Sequence, residues 1–184
     1  MSLLRTIWPI ILTQIFTSAG VGLNLTVAAL AATSVTGTDK FGGLAQTSTI
    51  LGATVITIAT THLNHRFGRL TSLRLSLFLA VAGSLICGLA VGQENELRWI
   101  LFVGLFLLGG GTVGALLSRF VATEKVGNGK HASTAISSVL FGSAIGSAIG
   151  PNIYGIMAGL SAEPMRLVFL FSALIFAGGI LPLL

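Results

Sequence analysis

The sequence predicts an all-α membrane protein, a polytopic bundle of six transmembrane helices. Of its 184 residues, 53% are hydrophobic and only 8% are charged, whereas soluble domains average roughly 25% charged residues. The apolar residues fall into six runs, and each reaches the ~20 residues that a helix needs to cross a bilayer. The charged residues lie between these runs, and their sign alternates from one gap to the next.

This alternation assigns the gaps to two sides of a lipid bilayer. One set of gaps contains Arg5, Arg66, Arg69, Arg74, Arg119, Lys125 and Lys130, with Glu124 as the only acid. The other set contains Asp39, Lys40, Glu94, Glu96, Arg98, Glu163 and Arg166. Because basic residues concentrate on the cytoplasmic side, we expect a multi-pass membrane protein with both termini in the cytoplasm. The basic excess follows from topology, and no basic stripe is interleaved with aromatic residues, so we expect no nucleic-acid partner.

The six predicted helices occupy the whole chain as a single transmembrane domain, residues 1–184. Their expected ranges are about 7–33, 41–61, 71–92, 99–118, 132–158 and 165–184. The first run is too long and too polar for the apolar core of a signal peptide, so we expect it to remain uncleaved.

The first two helices each carry a polar stripe. Thr13, Thr17, Gly20 and Asn24 share one face of the first helix, with Gln14 beside them. Gln46, Thr49, Thr57 and Thr60 share one face of the second helix. From these stripes we predict a substrate cavity formed by Gln14, Thr17, Asn24, Gln46 and Thr49. For the threonines, hydrogen bonding between packed helices is an equally good interpretation.

The other helices show packing patterns. The third and sixth are mostly aliphatic and aromatic, and we expect them to face lipid or a partner. The fourth contains Gly109, Gly110 and Gly111. The fifth carries Gly142, Gly146 and Gly150 at four-residue intervals, which predicts close approach by another helix. Pro151 follows, and we expect a bend there because proline removes one backbone hydrogen bond.

Two segments carry a resemblance to a known family. Between the second and third helices, residues 61–70 read THLNHRFGRL. This segment resembles the signature loop of the major facilitator superfamily, G-x-L-A-D-R-x-G-R-R/K, with Leu63, Arg66, Gly68 and Arg69 in register. Thr61 stands in place of the leading glycine, and His65 in place of the aspartate. Residues 146–155, which include Gly146, Gly150, Pro151 and Gly155, are similar to the family's antiporter motif G-x-x-x-G-P-x-x-G-G, with one closing glycine missing.

The resemblance implies the fold of an N-terminal six-helix half, built from two inverted three-helix repeats. It further implies alternating-access transport of a small-molecule substrate, in the manner of proton-coupled exporters of drugs or metabolites in a bacterial inner (plasma) membrane. It also implies the need for a second six-helix half or a homodimer. The alternative is a truncated, non-transporting fragment of such a transporter. The family's signature loop helps to hold one state closed, so the resemblance predicts a gate formed by His65, Arg66, Gly68, Arg69 and Glu124, in which the arginines pair with Glu124.

The residues for proton coupling are missing from the expected places. Many proton-driven exporters carry an arginine where this chain has Leu105, and no Asp or Glu lies within the six predicted spans. A proton carrier in a second half and a loss of coupling both remain open. His65, in place of an aspartate, predicts a gate that is weaker or sensitive to pH.

We expect no enzyme activity, cofactor or metal site. The three histidines, His62, His65 and His131, lie outside the predicted spans and lack spaced partners, so neither a metal site nor an intramembrane nucleophile with its base is indicated. Cys87, the only cysteine, lies among aliphatic residues, and there a thiol acts as a small apolar side chain.

Overall fold

A computed structural model describes residues 3–38, 40–91, 98–127, 131–159 and 163–184. The predicted all-α class is confirmed, since every regular element among these residues is helical. Within these ranges, six helices are long and apolar enough to cross a membrane. They are α1 (Leu3–Thr36), α2 (Lys40–Phe67), α3 (Arg69–Ala90), α4 (Arg98–Val126), α5 (His131–Ala158) and α6 (Pro164–Ile180), and a short 3₁₀ turn (Leu181–Leu183) follows. Of the predicted charge pattern, Asp39, Glu94, Glu96, Lys130 and the side chains of Arg5 and Arg98 lie outside the described residues.

Two helices extend well beyond their predicted ends at the side expected to be cytoplasmic. α2 continues from the predicted residue 61 to Phe67, and α4 from 118 to Val126. Hydropathy marks only the part of a helix that lies in hydrocarbon, whereas backbone hydrogen bonding continues into the headgroup region. The segment 61–70, expected to be a loop, is therefore helical except at Gly68, and Glu124 lies inside α4.

The helices pair in a way that supports the predicted inverted repeats. α1 packs most closely on α5, and α2 packs on α4. The first helix of each three-helix unit thus contacts the second helix of the other unit. α3 and α6, the third helices, also contact each other. This exchange is the arrangement expected when two equivalent units face each other in opposite orientation.

Small residues bring these helices together. A Cβ built on Gly109 of α4 would lie 2.6 Å from the Thr49 carbonyl oxygen of α2. At the centre of the bundle the Phe176 ring, fully buried, fills the space above two glycines, since a Cβ on Gly20 or on Gly111 would lie 2.8 Å from the ring. α6 therefore inserts one aromatic face into the core, although the sequence predicted it to lie outside, and its opposite face remains exposed at Leu174.

The least covered helices are α2 and α5. Within their most apolar stretches only 17% and 22% of residues are buried by the rest of the bundle, against 56% in α1 and in α4. α3 and α6, which the sequence predicted to face lipid or a partner, are 50% and 44% buried. Among the described residues, the six helices thus leave two long faces without protein neighbours, one on α2 and one on α5.

Candidate functional site

The predicted signature segment consists of a helix end, a one-residue break and a helix start. Gly68 forms the break with φ 81° and ψ 163°, a backbone conformation that is essentially restricted to glycine. Its N–H donates to the Asn64 carbonyl oxygen at 3.1 Å and closes α2. His65 and Arg66 lie in the last turn of α2, where positive charge is favourable against the helix dipole. Glycine at this position therefore sets the direction in which α3 leaves α2.

Arg69, the first residue of α3, lies beside α4. Its Nε is 3.9 Å from Glu124 Oε2, and its guanidinium carbon lies 5.6 Å from the centre of the Phe120 ring. The two charged side chains are 47% and 60% exposed, so this long ion pair contributes little stability and opens readily. Of the two predicted partners of Glu124, the structure places Arg69 next to it, whereas Arg66 is exposed and forms no ion pair within the described residues.

Four of the five predicted gate residues border one cleft of about 650 Å³ at this end of the bundle. Its lining is Thr61, Asn64, His65, Gly68, Arg69, Thr123, Glu124 and Gly127. Sequence reasoning did not single out Asn64, whose Oδ1 is buried without a hydrogen-bond partner in the described part of the chain. A guanidinium, a carboxylate, an imidazole and an unsatisfied amide oxygen give this cleft the chemistry to receive a polar segment or headgroup.

Two glycines of the predicted antiporter motif, Gly146 and Gly150, pack against α1. A Cβ on Gly150 would lie 2.6 Å from the Ala19 carbonyl oxygen, and one on Gly146 would collide with the carbonyl oxygen of Ile15. Gly155 faces open space, with no atom within 4 Å of the equivalent position. α5 continues through Pro151 as a single helix, and the expected bend remains a prediction. The first part of the motif is therefore a contact surface for α1, and its end is exposed.

A second cleft of about 530 Å³, the central cleft, lies between α1, α2 and α4. Gln46 and Thr49 from the predicted cavity line it, together with Val21, Leu25, Ile50, Ala53, Thr54, Thr57, Ile58 and Thr112. None of these lining residues is ionisable. Thr112 follows the glycine run of α4, where no periodic polar pattern surrounds it, so its role could not have been predicted from periodicity.

Asn24 lies just beyond the central cleft. It borders a small void of about 20 Å³ whose lining shares Val21, Leu25, Gln46, Thr49 and Thr112 with that cleft. The Asn24 Nδ2 donates to the Gly20 carbonyl oxygen and to Ser172 Oγ of α6. Asn24 therefore combines both predicted roles of the stripe, since it joins two helices and also reaches the edge of a cavity.

Gln14 and Thr17 lie away from the central cleft. Gln14 is fully buried, donates to Ser18 Oγ at 3.1 Å and accepts from Ser118 Oγ of α4. The Thr17 hydroxyl donates to the Thr13 carbonyl oxygen at 2.7 Å. Neither residue lines the central cleft or the small void beside Asn24. In this conformation Gln14 joins α1 to α4 through Ser118, and the Thr17 hydroxyl bonds to the backbone of its own helix. Both residues therefore make structural hydrogen bonds in this conformation.

Comparison with known proteins gives two relatives, both from Bacillus subtilis (strain 168). The chain is 30% identical over 153 residues, 83% of its length, to the uncharacterized MFS-type transporter YdeG. It is 29% identical over 153 residues, again 83% of its length, to the uncharacterized MFS-type transporter YddS. The matched region spans 35% and 34% of these two relatives, about a third of each. No family model matches the chain, and no solved structure matches it significantly. The two relatives confirm the resemblance to the major facilitator superfamily.

Proposed function

Because the chain is homologous to major facilitator superfamily transporters, we propose that it is one six-helix half of a transporter that moves small molecules across a bacterial plasma membrane by alternating access. The observation that carries this proposal is the central cleft, which has walls from α1, α2 and α4 but remains open on the exposed side of α2. A cleft with polar groups in its wall and one side uncovered becomes an enclosed substrate site when a second unit closes it.

We place the second half against the bare faces of α2 and α5. A homodimer or a separately encoded half would supply it. The relatives support a larger assembly, since the aligned region covers only about a third of their length. A rocking motion between two halves requires an interface that can re-form in each state. Small residues that are exposed on α5, such as Ala144 and Ala148, allow such an interface because they permit close and adjustable contact between helices.

The five gate residues would act where the inner end of the second half meets α2 and α4. An ion pair at 3.9 Å between half-exposed side chains is weak enough to break in each transport cycle. In this proposal Arg69 and Glu124 close, in one state, the cleft of about 650 Å³ that they line. Gly68 sets the position of Arg69, and His65 and Arg66 contact the part of the second half that approaches this cleft. The termini lie in the cytoplasm, because the basic residues of this region mark the cytoplasmic side.

The antiporter-like motif of α5 supports an export direction, so we propose proton-coupled efflux of drugs or metabolites. No lining residue of the central cleft carries an ionisable group, so we place the proton carrier in the second half. Transport, and not catalysis, is the proposed activity, in keeping with the names of the two relatives.

Efflux of the neutral dye Nile red from exporter-deficient bacteria tests this function. The chain is expressed alone and as a tandem fusion of two copies, whose cytoplasmic termini allow a simple linker. We expect energy-dependent export by the fusion and a loss of export when Gly68 is replaced by alanine. If neither form exports the dye and no companion half co-purifies with the chain, the alternative of a non-transporting fragment is favoured instead.

A further inference from the structure

A further cavity, the α2–α4 groove, lies between these two helices and has a volume of about 250 Å³. It shares Thr57 with the central cleft. It shares Thr61, Asn64 and Arg69 with the cleft of about 650 Å³ that the gate residues border. The groove therefore lies between those two cavities along α2.

The wall of this groove from α2 is polar, and the wall from α4 is apolar. The polar wall consists of Thr57, Thr60, Thr61 and Asn64. The apolar wall consists of Val113, Leu116, Leu117 and Phe120. Both sets have the same spacing along the chain, which places the members of each set on one face of a helix. A molecule in the groove thus meets a polar surface on one side and an apolar surface on the other.

The threonines of the polar wall offer hydrogen-bond acceptors to a ligand. The Thr57 hydroxyl donates to the Ala53 carbonyl oxygen at 2.7 Å, and the Thr61 hydroxyl donates to the Thr57 carbonyl oxygen at 2.8 Å. The Thr60 hydroxyl donates to the Ile56 carbonyl oxygen at 2.8 Å. Because these protons are used by the backbone, only oxygen lone pairs remain for a ligand. The threonine wall therefore disfavours an anionic group and favours an N–H or O–H group.

The positive charge of Arg69 lies at one end of the groove. Among the described residues that line the groove, Arg69 is the only ionisable one. Its guanidinium carbon lies 5.6 Å from the centre of the Phe120 ring, which places the charge beside the apolar wall. Glu124 does not line the groove, and its Oε2 is 3.9 Å from Arg69 Nε, too far for a hydrogen bond.

The guanidinium of Arg69 has donors to spare for a ligand. A guanidinium carries five N–H donors, and those of Arg69 make no hydrogen bond within the described part of the chain. The side chain is 47% exposed, so a ligand in the groove can reach these donors. A carboxylate or phosphate oxygen is the group that a guanidinium binds best.

We propose that the α2–α4 groove binds amphipathic molecules that carry one anionic group. The anionic group lies at Arg69, and the apolar body packs on the α4 wall. Such a ligand competes with Glu124 for Arg69 and so weakens the ion pair of the gate. This proposal deepens the proposed function and rests on it in treating the groove as an entry to the central cleft, but binding in the groove does not itself require transport.

A matched pair of probes tests the charge preference. 4-(Trifluoromethyl)benzoate is an anion at neutral pH, and 4-(trifluoromethyl)benzamide has the same ring without the charge. Binding of each to the full chain in phosphatidylcholine nanodiscs is measured by ¹⁹F NMR, with empty nanodiscs subtracted. A half-exposed ion pair predicts that the benzoate binds about fivefold more tightly at low salt, and this preference should shrink at high salt. Arg69→Gln should abolish the preference while leaving benzamide binding unchanged.

Three further variants locate the site. Glu124→Gln removes the competing carboxylate and should tighten benzoate binding by about twofold. Leu116→Ala shortens the apolar wall at a residue that is 48% exposed, and it should weaken the binding of both probes. Lys125→Gln removes an exposed charge next to Glu124 that does not line the groove, and it should retain the preference.

Four results would overturn the proposal. They are equal binding of both probes to the natural chain, a preference that survives Arg69→Gln, a loss of preference in Lys125→Gln as large as that in Arg69→Gln, and unchanged binding of both probes in Leu116→Ala.

The anionic ligand can come from the bilayer or from solution, and lipid analysis distinguishes these sources. Phosphatidylglycerol that co-purifies with the natural chain is compared by mass spectrometry with that retained by Arg69→Gln. Loss of this lipid in the variant shows that the bilayer supplies the anion. Equal retention, together with a benzoate preference that depends on Arg69, shows that the anion comes from solution.

The outcome is distinguishable from that of the transport test. A benzoate preference that depends on Arg69, without dye export by the tandem fusion, supports the groove and rejects transport by this chain. Export without any preference between the probes supports transport and rejects the groove as an anion site.

Discussion

Replacing glycines of α5 by alanine tests how α1 and α5 pack. A Cβ at Gly150 would lie 2.6 Å from the Ala19 carbonyl oxygen and 2.7 Å from the Leu23 amide nitrogen. Both are backbone atoms, so relief requires the two helices to separate. A Cβ at Gly142 would lie 3.3 Å from the nearest atoms of α1, and one at Gly155 would meet nothing within 4 Å.

The three positions predict a graded loss of stability. Overpacking of a close contact costs about 1–3 kcal/mol, and we expect Gly150→Ala to fall in the upper part of this range. Gly142→Ala should cost less, because shifts of a few tenths of an ångström relieve it. Gly155→Ala should be neutral or stabilising by up to about 1 kcal/mol, since alanine is the better helix former. The order of stability is therefore Gly155→Ala, then Gly142→Ala, then Gly150→Ala.

Reversible unfolding in mixed detergent, followed by circular dichroism, measures these differences in the isolated chain. Each variant is first compared by size-exclusion chromatography to establish that it is monodisperse. Equal stability of Gly150→Ala and Gly155→Ala would refute the close packing of α5 on α1. A larger loss at Gly155 would show that the exposed end of the motif is already covered in the isolated chain.

Three further predictions concern the gate residues. Gly68→Ala should destabilise the chain by about 1–3 kcal/mol, because alanine is strained in the backbone conformation of Gly68. Gly43 also faces open space but lies within a helix, so Gly43→Ala should not destabilise the chain. Equal unfolding midpoints of these two variants would contradict the prediction. A double-mutant cycle of Arg69→Gln and Glu124→Gln should give a coupling below about 1 kcal/mol that vanishes in high salt, and a larger, salt-independent coupling would show that the pair is not solvated. His65→Asp should raise the outward-facing population of the tandem fusion, measured by cysteine accessibility in the outer half of the central cleft, and an unchanged population would remove His65 from the gate.

The membrane class and the number of helices could be predicted from sequence because they depend on local composition. An apolar run of about 20 residues has few alternatives to a membrane span. The inner helix ends could not be predicted in the same way, because α2 and α4 continue through polar residues that hydropathy treats as loop. Gly68 and Gly127, both with positive φ, are the local signals that end these helices.

The candidate site was harder to predict because it depends on which helices meet. The polar stripe of α1 was visible in the sequence, but Asn24 bonds to Ser172, 148 residues away, and periodicity alone does not identify such a partner. The glycine ridge of α5 was correctly predicted to receive a helix, and only the structure identifies that helix as α1. Gln46 and Thr49 line a cleft whose third wall includes Thr112, a single hydroxyl with no repeating pattern around it.

Site-directed photocrosslinking tests most directly the claim that α2 and α5 receive a second six-helix half. In a Cys87→Ser background, Ala148→Cys places a benzophenone maleimide on the exposed face of α5, and Leu174→Cys places it on the outward face of α6, where the leucine is 68% exposed. Irradiation of intact membranes followed by mass analysis identifies the adducts. We predict a protein adduct of at least the size of a second six-helix half from position 148, and only lipid adducts from position 174. Lipid adducts alone at both positions would contradict the claim.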